Sequence, residues 1–422
     1  MNLTGRKDLT FMKITASAAL LLGTSALTAQ AEDLVVYQTW SSPAEVAALN
    51  VLNEAVSAEG INWIDITIPH NTGSSVSLLN LVVGGQPPNI FSENNTGVFR
   101  DLTEMGLGRD LTDAFTESGA IDHFSDVVLK AITVDGEIRQ MPLGVHIDGM
   151  VYYNMEVAAA AGVDPTSWTT MDEMMADFDA ITAAGYVPLA VGAQQWQIGY
   201  LTHALMGTLA GPELYRGVYG EEPDPAAFDS AEVRSVFEWL RKFEQAADDG
   251  SVNRDWNMTT NNVISGQALM QIHGDWMKGE WRAAGKEPGV DFGCMPIPGY
   301  KAVVVTVDGW GALGGQPENV DAAMMRFAQI VTDPQVNADF ANVKGATPVR
   351  NDVPTEGIDI CAQRVLGLLE DEGRQVNNPS VTVDSDWQNA IWEVAFNFWS
   401  DPDMSVDDAI ASLHSQYDII LN

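Results

Sequence analysis

The sequence LVVYQTWSSPAEVAALNVLNEAVSAEGINWIDITI, residues 34–68, decides the fold class. Its first four residues are of the kinds that favour a β-strand. Ser42-Pro43 then predicts the start of a helix, because a serine side chain caps free backbone N–H groups and proline fits the first turn. Apolar residues continue at helical spacing until Gly60, and residues 63–68 alternate between apolar and polar positions as a strand does. A strand, a helix and a second strand in this order indicate an α/β domain.

The same alternation continues along the chain. The patterns predict strands at 141–145, 150–153, 268–272 and 303–307, and helices at 75–83, 171–184, 230–247 and 318–332. Extended segments marked by Pro and Gly recur at three places, which suits a chain that crosses three times between two lobes. The sequence therefore predicts an α/β protein that is large enough for about two domains.

The first 31 residues have the pattern of a cleaved signal peptide. Three basic residues precede the short apolar run 14–28, and Ala29-Gln30-Ala31 matches a cleavage site. The apolar run is too short to span a membrane, and no cysteine follows it to carry a lipid anchor. We therefore expect an exported mature protein that begins at Glu32.

The composition is strongly acidic. The chain has 58 Asp and Glu residues against 21 Lys and Arg residues, a formal net charge of −37. A nucleic-acid partner is excluded, because no basic patch is available to neutralise phosphates. An anionic membrane surface is disfavoured for the same reason. The charges are scattered rather than grouped, so the composition does not indicate disorder.

Two cysteines, Cys294 and Cys361, are present. An even pair in an exported protein favours one disulfide, although two unrelated buried thiols would also fit the sequence. Two cysteines do not make a structural zinc site, which needs four close ligands. The six histidines lie far apart and show no metal-ligand spacing. We expect neither a metal nor another cofactor.

Catalytic motifs are weak or absent. The sequence GWGALG, residues 309–314, matches a dinucleotide fingerprint, but a helix does not follow it directly and Trp310 lies where the backbone should approach the ligand. We expect the next helix to begin near Pro317. No nucleophile elbow or P-loop occurs. A secreted glycoside hydrolase with paired carboxylates stays open as an alternative, because the separation of such a pair is not visible in the sequence.

The sequence MQIHGDWMKGEW, residues 270–281, indicates a ligand-binding edge. The pattern predicts a strand followed by a helix that Asp275 caps. Trp276 and Trp281 are about 140° apart around this helix, and Trp281 falls on an apolar stripe, so we assign it to the core. Trp276 lies at the carboxyl end of the strand, where ligands bind in open α/β sheets.

An indole face beside polar groups suits a sugar, whose C–H face packs on the ring while its hydroxyls form hydrogen bonds. Each unpaired buried polar group would cost about 1–3 kcal/mol, which gives selectivity. Trp40, Trp196 and Trp310, near predicted strand ends or breaks, are further candidate platforms.

The chain resembles the periplasmic sugar-binding proteins of ABC importers, in particular the glucose/mannose-binding branch. The resemblance runs from about residue 34 to about residue 415. It is carried by TWSSPAEVAALNVL (39–52), GGQPPN (84–89), MPLGVHIDGMVYYN (141–154), GAQQWQ (192–197), MQIHGDWMKGEW (270–281), AAGKEPGVDFGC (283–294) and KGATPVRND (344–352).

The resemblance implies two α/β lobes joined by a hinge of crossing segments. We assign residues 32–144 and 303–350 to the N-terminal lobe, and residues 145–302 and 351–422 to the C-terminal lobe. A sugar would be held in the cleft between them, and lobe closure would present a surface to the membrane permease. The resemblance further implies a non-catalytic, monomeric periplasmic protein and strengthens the expectation of a disulfide between Cys294 and Cys361.

The resemblance also implies roles for individual residues. Trp40 would stack on the sugar, Glu45 would bind hydroxyls, Trp276 would form the opposite wall, and Asp308 and Lys344 would anchor hydroxyls from the other lobe. The remaining residues expected to line the cleft are Asn94, His146, Gln194 and Trp196.

Three positions depart from the family pattern. Thr39 and Asn94 stand where the family often has a tryptophan and a lysine, and Val383 stands where it often has a histidine. A glucose-like monosaccharide is the leading ligand, but another monosaccharide or a small glycoside could use the extra room.

Overall fold

The computed structural model describes residues 32–68, 74–354 and 358–422, including all their side chains except those of 74–77. The predicted signal peptide, residues 1–31, lies outside the described residues.

The described chain alternates strands and helices. The strands are β1 Glu32–Gln38, β2 Ile61–Thr67, β3 Ile90–Ser92, β4 Thr133–Val134, β5 Glu137–Ile138, β6 Met141–Asp148, β7 Met150–Asn154, β8 Val187–Ala190, β9 Ala268–His273, β10 Phe292–Pro296, β11 Val303–Ala312 and β12 Gln375–Asn377.

The α-helices are α1 Pro43–Ala58, α2 Ser74–Val83, α3 Thr96–Glu104, α4 Thr112–Ser118, α5 Asp126–Ile132, α6 Met155–Ala161, α7 Met171–Ala176, α8 Phe178–Ala183, α9 Gln195–Tyr219, α10 Ala231–Ala246, α11 Trp256–Ile264, α12 Met277–Ala283, α13 Glu318–Val331, α14 Pro334–Lys344, α15 Ile360–Leu368, α16 Pro379–Thr382, α17 Ser385–Ser400 and α18 Val406–Ile420.

The larger sheet has six strands and is built around β11. Its order is β12-β11-β3-β1-β2, and β6 also pairs with β11. Strands β1, β2 and β3 are parallel, whereas β11 runs antiparallel to β3 and β6. Both β6 and β11 are buried along their whole length, so side chains on their shared face meet in a dry environment.

The second sheet has four strands in the order β10-β7-β9-β8. Strand β7 runs antiparallel to both neighbours, and β8 is parallel to β9. The chain passes from the larger sheet to this one between β6 and β7, where Gly149 adopts a positive φ of 80°. It returns between β10 and β11. The fold is therefore α/β with two mixed sheets, and the exact lobe boundaries stay a prediction.

The local patterns that defined the fold class are confirmed. Helix α1 begins after Ser42, whose side chain accepts a hydrogen bond from the Glu45 N–H, while the Glu45 carboxylate bonds the Ser42 N–H in a capping box. Strand β9 and helix α13 also lie where expected. The single helix expected at 171–184 is two short helices, α7 and α8, because the helical path breaks at Asp177.

Gly309 and Gly311 of GWGALG lie in a strand and allow neighbouring side chains to pack closely against it. Residues 309–312 belong to β11, and helix α13 begins only at Glu318, as the sequence predicted. A Cβ atom on Gly309 would lie 2.2 Å from Gln140 Oε1, and one on Gly311 would lie 2.3 Å from the Phe91 ring. These close approaches explain both glycines without a nucleotide.

The expected disulfide between Cys294 and Cys361 is present. It joins β10 of the second sheet to α15 across a separation of 67 residues. In the chain-entropy account, closing a loop of this length stabilises the fold by about 4 kcal/mol, because it restricts the unfolded chain.

We therefore predict that the double variant Cys294→Ser/Cys361→Ser has a free energy of unfolding lower by roughly 2–5 kcal/mol, measured by urea denaturation. Treating the wild-type protein with a reductant should reproduce the loss, and the same reductant should leave the double variant unchanged. Equal stability of the oxidised wild type and the variant would contradict this role.

Candidate functional site

A buried ionic cluster lies where α1, β6, β11 and α14 meet the loop between β9 and α12. Its members are Glu45, His146, Asp275, Asp308 and Lys344, and each is nearly inaccessible to solvent. The His146 ring contacts two carboxylates, with Nδ1 2.5 Å from Asp275 Oδ1 and Nε2 3.1 Å from Asp308 Oδ2. Buried charges are tolerated when they are paired in this way.

The pairing determines the ionisation of the cluster. Burial acts to lower the pKa of His146, but the charges and hydrogen bonds of Asp308 and Asp275 outweigh burial and raise it to about 9. Burial likewise disfavours the Asp308 carboxylate, yet Lys344 and His146 hold its pKa well below the ordinary range. Asp308 is thus a fixed anion and His146 an imidazolium at neutral pH.

The strand pairing is irregular next to Asp308. The pairing of β6 with β11 shifts register between Asp308 and Gly309, and such irregularities re-aim side chains next to functional sites. Gly144 lies opposite Asp308, and a Cβ atom there would be 2.7 Å from the Ala346 Cβ. Asn94 hydrogen-bonds the Asp308 carboxylate and accepts from the Gly309 N–H at 3.0 Å.

Lys344 is the centre of the cluster. Its Nζ atom lies 3.7 Å from Asp308 Oδ2 and 4.0 Å from Glu45 Oε1. The same atom lies 4.9 Å from the centre of the Trp40 ring and 6.0 Å from that of Trp276. Both predicted indole walls therefore lie near one ammonium group, which each attracts through its ring face.

Trp40 is held in place from two sides. Its backbone N–H donates to Gln38 Oε1 at 2.6 Å. Its ring lies against Trp310 and Phe340, at centroid separations of 5.4 and 5.9 Å. The expectation that Trp310 is a further sugar platform is wrong, because its side chain is fully buried within β11 and supports Trp40 from behind.

Helix α12 is tied to the start of α1. Glu280 Oε1 accepts from the Ala44 N–H at 3.2 Å. Burial raises the pKa of Glu280, against the opposing effect of a hydrogen bond from Ser42. Since Trp276 lies one turn before Glu280, this contact fixes the segment that carries Trp40 relative to Trp276.

The role expected for Asp275 is wrong. Trp276 occupies the N-cap position of α12 and no side chain caps the helix. The Asp275 side chain instead binds His146 in the interior, where burial raises the pKa of Asp275 despite that partner. Trp281 is buried and stacks on Phe292 at 4.7 Å, as predicted for a core residue.

Gln194 and Trp196 are connected to Trp276 through His273. Trp196 Nε1 donates to Gln194 Oε1 at 2.9 Å, and Gln194 Nε2 donates to Asp255 Oδ1 at 2.7 Å. The Trp196 ring lies 5.2 Å from His273, whose ring is 5.0 Å from Trp276. The structure thus brings all nine predicted ligand-binding residues into one connected region, and their contact with a ligand stays a prediction.

Sequence reasoning missed three aromatic residues of this region, Tyr200, His273 and Trp392. Tyr200 contacts Trp196, Trp276 and Trp392 through ring centroids 5.7–5.8 Å apart. Trp196 and Tyr200 are four residues apart on α9, and this spacing was the signal that could have placed both on one helix face. Trp392 comes from α17, far along the chain, and no local pattern connects it to the site.

Burial sets the ionisation of two of these side chains. Burial lowers the pKa of His273 to about 3, so its ring is neutral at physiological pH. Burial also raises the pKa of the Tyr200 hydroxyl far above its ordinary value, with a further contribution from Asp148 and Asp308. This side of the region therefore presents neutral rings.

A cavity of about 470 Å³ lies away from the ionic cluster, between α5, α9 and β12. Its lining includes the exposed charged residues Asp126, Lys130 and Arg216, and the buried Tyr215 and Tyr219. None of the nine predicted ligand-binding residues lines it. We place the candidate site at the ionic cluster, because rings and fixed polar groups converge there.

Over the described ranges 32–68, 74–354 and 358–422, no group of three or more His, Cys, Asp and Glu side chains could hold a metal ion. Of the helices in that part of the chain, none has the length and apolar character needed to cross a membrane.

The chain is similar to proteins that capture solutes outside the cytoplasm. Residues 81–359 match the family described as bacterial extracellular solute-binding protein. A probable sugar-binding periplasmic protein of Mesorhizobium japonicum is 31% identical over 361 residues, 83% of this chain and 86% of that protein. An uncharacterized ABC transporter extracellular-binding protein of Pyrococcus horikoshii is 24% identical, over 79% of this chain and 75% of that protein.

A solved structure has the same fold. A chitin oligosaccharide binding protein superposes with a TM-score of 0.79 at 19% identity, covering 92% of this chain and 98% of that one. The fold is that of the α/β periplasmic solute-binding proteins. The chain belongs to the bacterial extracellular solute-binding protein family, and is a non-enzymatic component of a transporter.

The ionic cluster predicts a pH dependence of stability. Because His146 has a pKa of about 9 in the folded protein and about 6.5 when unfolded, its protonated form stabilises the fold fully below about pH 6.5. This contribution is lost as the pH rises through 9. We expect the free energy of unfolding to fall by on the order of 2–3 kcal/mol between pH 6.5 and pH 9.5, measured by urea denaturation.

The variant His146→Gln should remove most of this slope. The variant His123→Gln is the matched control, because His123 is partly exposed and lies outside the cluster, and it should keep the slope. A wild-type stability that does not change across this pH range would show that His146 is not held between two carboxylates.

Proposed function

We propose that the chain is the sugar-binding component of an ABC importer. It captures a sugar in the periplasm, holds it between the two indole walls, and delivers it to the membrane permease. The names of the relatives from M. japonicum and P. horikoshii support the ligand class and the transporter type. In this proposal the lobes are residues 32–144 with 303–350 and residues 145–302 with 351–422, and the protein acts as a monomer.

The observation that carries the proposal is the arrangement around Lys344. The rings of Trp40 and Trp276 lie 4.9 and 6.0 Å from its ammonium group, and Asp308 and Glu45 lie within 4.0 Å of it. A pyranose ring offers an apolar face to an indole and a rim of hydroxyls to charged acceptors and donors. The acceptors and donors are fixed by one another, so binding would need little reordering of side chains.

The charge balance favours a neutral sugar. The carboxylates of Glu45, Asp275 and Asp308 outnumber the cations of His146 and Lys344 in the ionic cluster. A sugar acid or a sugar phosphate would meet net negative charge in a buried site, where repulsion is strong. A glucose-like pyranose is the leading ligand, either free or as one ring of a small glycoside.

The glycoside hydrolase considered from the sequence has no support in the site. The family is non-enzymatic. Asp308 is paired with Lys344 and His146, and Glu45 caps α1, so neither carboxylate is free to donate a proton to a leaving group.

Isothermal titration calorimetry against a panel of neutral monosaccharides and disaccharides tests the proposal. The panel should include glucose, mannose, galactose, xylose, maltose and cellobiose, with glucuronic acid as the anionic comparison. We expect saturable binding of at least one neutral sugar and none of the acid. Failure of every sugar in the panel to bind would count against a carbohydrate ligand.

We predict that Trp276→Ala weakens sugar binding at least tenfold without unfolding the protein, because stacking on the indole is lost at a cost of about 1–3 kcal/mol. Calorimetry gives the affinity, and circular dichroism checks the fold. Trp239→Ala is the matched control, since Trp239 on α10 is 6% exposed and Trp276 is 8% exposed. Equal effects of the two substitutions on affinity would mean that Trp276 is an ordinary core residue.

A further inference from the structure

Three partly buried aromatic residues extend the region beyond Trp276. They are Trp196, Tyr200 and Trp392, and we call them the aromatic strip. Ring contacts run from Trp276 to Tyr200 at 5.7 Å and from Tyr200 to Trp392 at 5.8 Å. Trp196 joins Tyr200 at 5.7 Å. The strip is therefore continuous with one wall of the candidate sugar site.

Hydrogen bonds fix two of these rings. Trp196 donates through Nε1 to Gln194, which is itself held by Asp255. The Tyr200 hydroxyl is hydrogen-bonded to the side chains of Thr306 and Asn378. Rings whose polar ends are anchored in this way keep one orientation and can act as rigid platforms.

Trp392 reaches the strip because α9 carries a glycine beneath it. A Cβ atom on Gly199 would lie 2.5 Å from Trp392 Cγ and Cδ1. The indole of α17 therefore lies directly on the backbone of α9, next to Tyr200. A residue larger than glycine at this position would push Trp392 away from the strip.

The neighbours of Trp276 fall into two chemical groups. His146 and Lys344 belong to the ionic cluster, whose charged groups suit recognition of individual hydroxyls. Tyr200 and His273 are neutral rings, the latter with a pKa of about 3. Aromatic surface with few polar groups accepts a ring face without strict demands on stereochemistry.

We propose that the aromatic strip is a second sugar subsite, and that the ligand has at least two rings. The first ring lies between Trp40 and Trp276, where the ionic cluster forms hydrogen bonds with its hydroxyls. The second ring packs on Tyr200, Trp392 and Trp196. This inference rests on the proposed function and specifies its ligand as a disaccharide or a longer glycoside.

Calorimetry on the full chain tests the second subsite with matched sugars. Glucose is compared with maltose, cellobiose and gentiobiose, and galactose is compared with lactose and melibiose. We expect at least one disaccharide to bind at least tenfold more tightly than the monosaccharide that it contains. Monosaccharide binding as tight as that of every disaccharide would overturn the second subsite while supporting a sugar-binding protein, whereas no binding by any sugar would contradict both proposals.

Substitutions separate the two subsites. Trp392→Ala should weaken disaccharide binding at least tenfold more than it weakens monosaccharide binding, whereas Trp276→Ala should weaken both alike. Trp239→Ala is again the control for loss of a distant indole. If Trp392→Ala fails to fold, Trp196→Ala gives the same comparison on α9. Equal losses for both ligand sizes in the strip variants would overturn the inference.

Discussion

The structure depends on the pairing of buried charges around Lys344 and His146. Two cations and three carboxylates from five separate segments meet in the interior. A charge left unpaired there would cost several kcal/mol, so the segments that carry these residues are held in one arrangement. That arrangement places Trp40 and Trp276 within 4.9 and 6.0 Å of the Lys344 ammonium group. The geometry of the candidate sugar site is thus a consequence of charge pairing.

One face of strands β6 and β11 carries residues of the candidate site and residues next to the point where the chain leaves the larger sheet. His146 and Asp148 are two residues apart on β6, as are Thr306 and Asp308 on β11, so all four point to one face. Asp148 accepts hydrogen bonds from His203, Thr306 and Asn378 at 2.8–3.0 Å. This polar network lies immediately before Gly149, where the chain leaves the larger sheet. On each of these two neighbouring strands, one residue of the candidate site and one residue of the polar network therefore lie side by side on the same face.

The fold class and much of the site could be read from local patterns. Ser42-Pro43 predicted the start of α1 through capping chemistry that acts within a few residues. The family strings contain Trp40 and Lys344, and the resemblance as a whole implied Asp308. Other features depend on contacts between distant segments. Aspartate is a common helix-capping residue, but the Asp275 carboxylate instead binds the buried His146. Trp310 is buried because β11 pairs with strands that are distant in the sequence. Trp392 packs against α9 because Gly199 has no side chain. Neither contact can be predicted from the neighbouring residues in the sequence.

We expect one sugar ring to lie between Trp40 and Trp276 with its hydroxyls on Asp308 and Lys344. A crystal structure of the protein with the tightest-binding sugar from the calorimetric panel tests this expectation. Electron density for a pyranose ring should stack on at least one of the two indoles, with a hydroxyl within hydrogen-bond distance of the Asp308 carboxylate. Density for the sugar in the cavity beside Tyr215 and Tyr219, with the ionic cluster untouched, would contradict it.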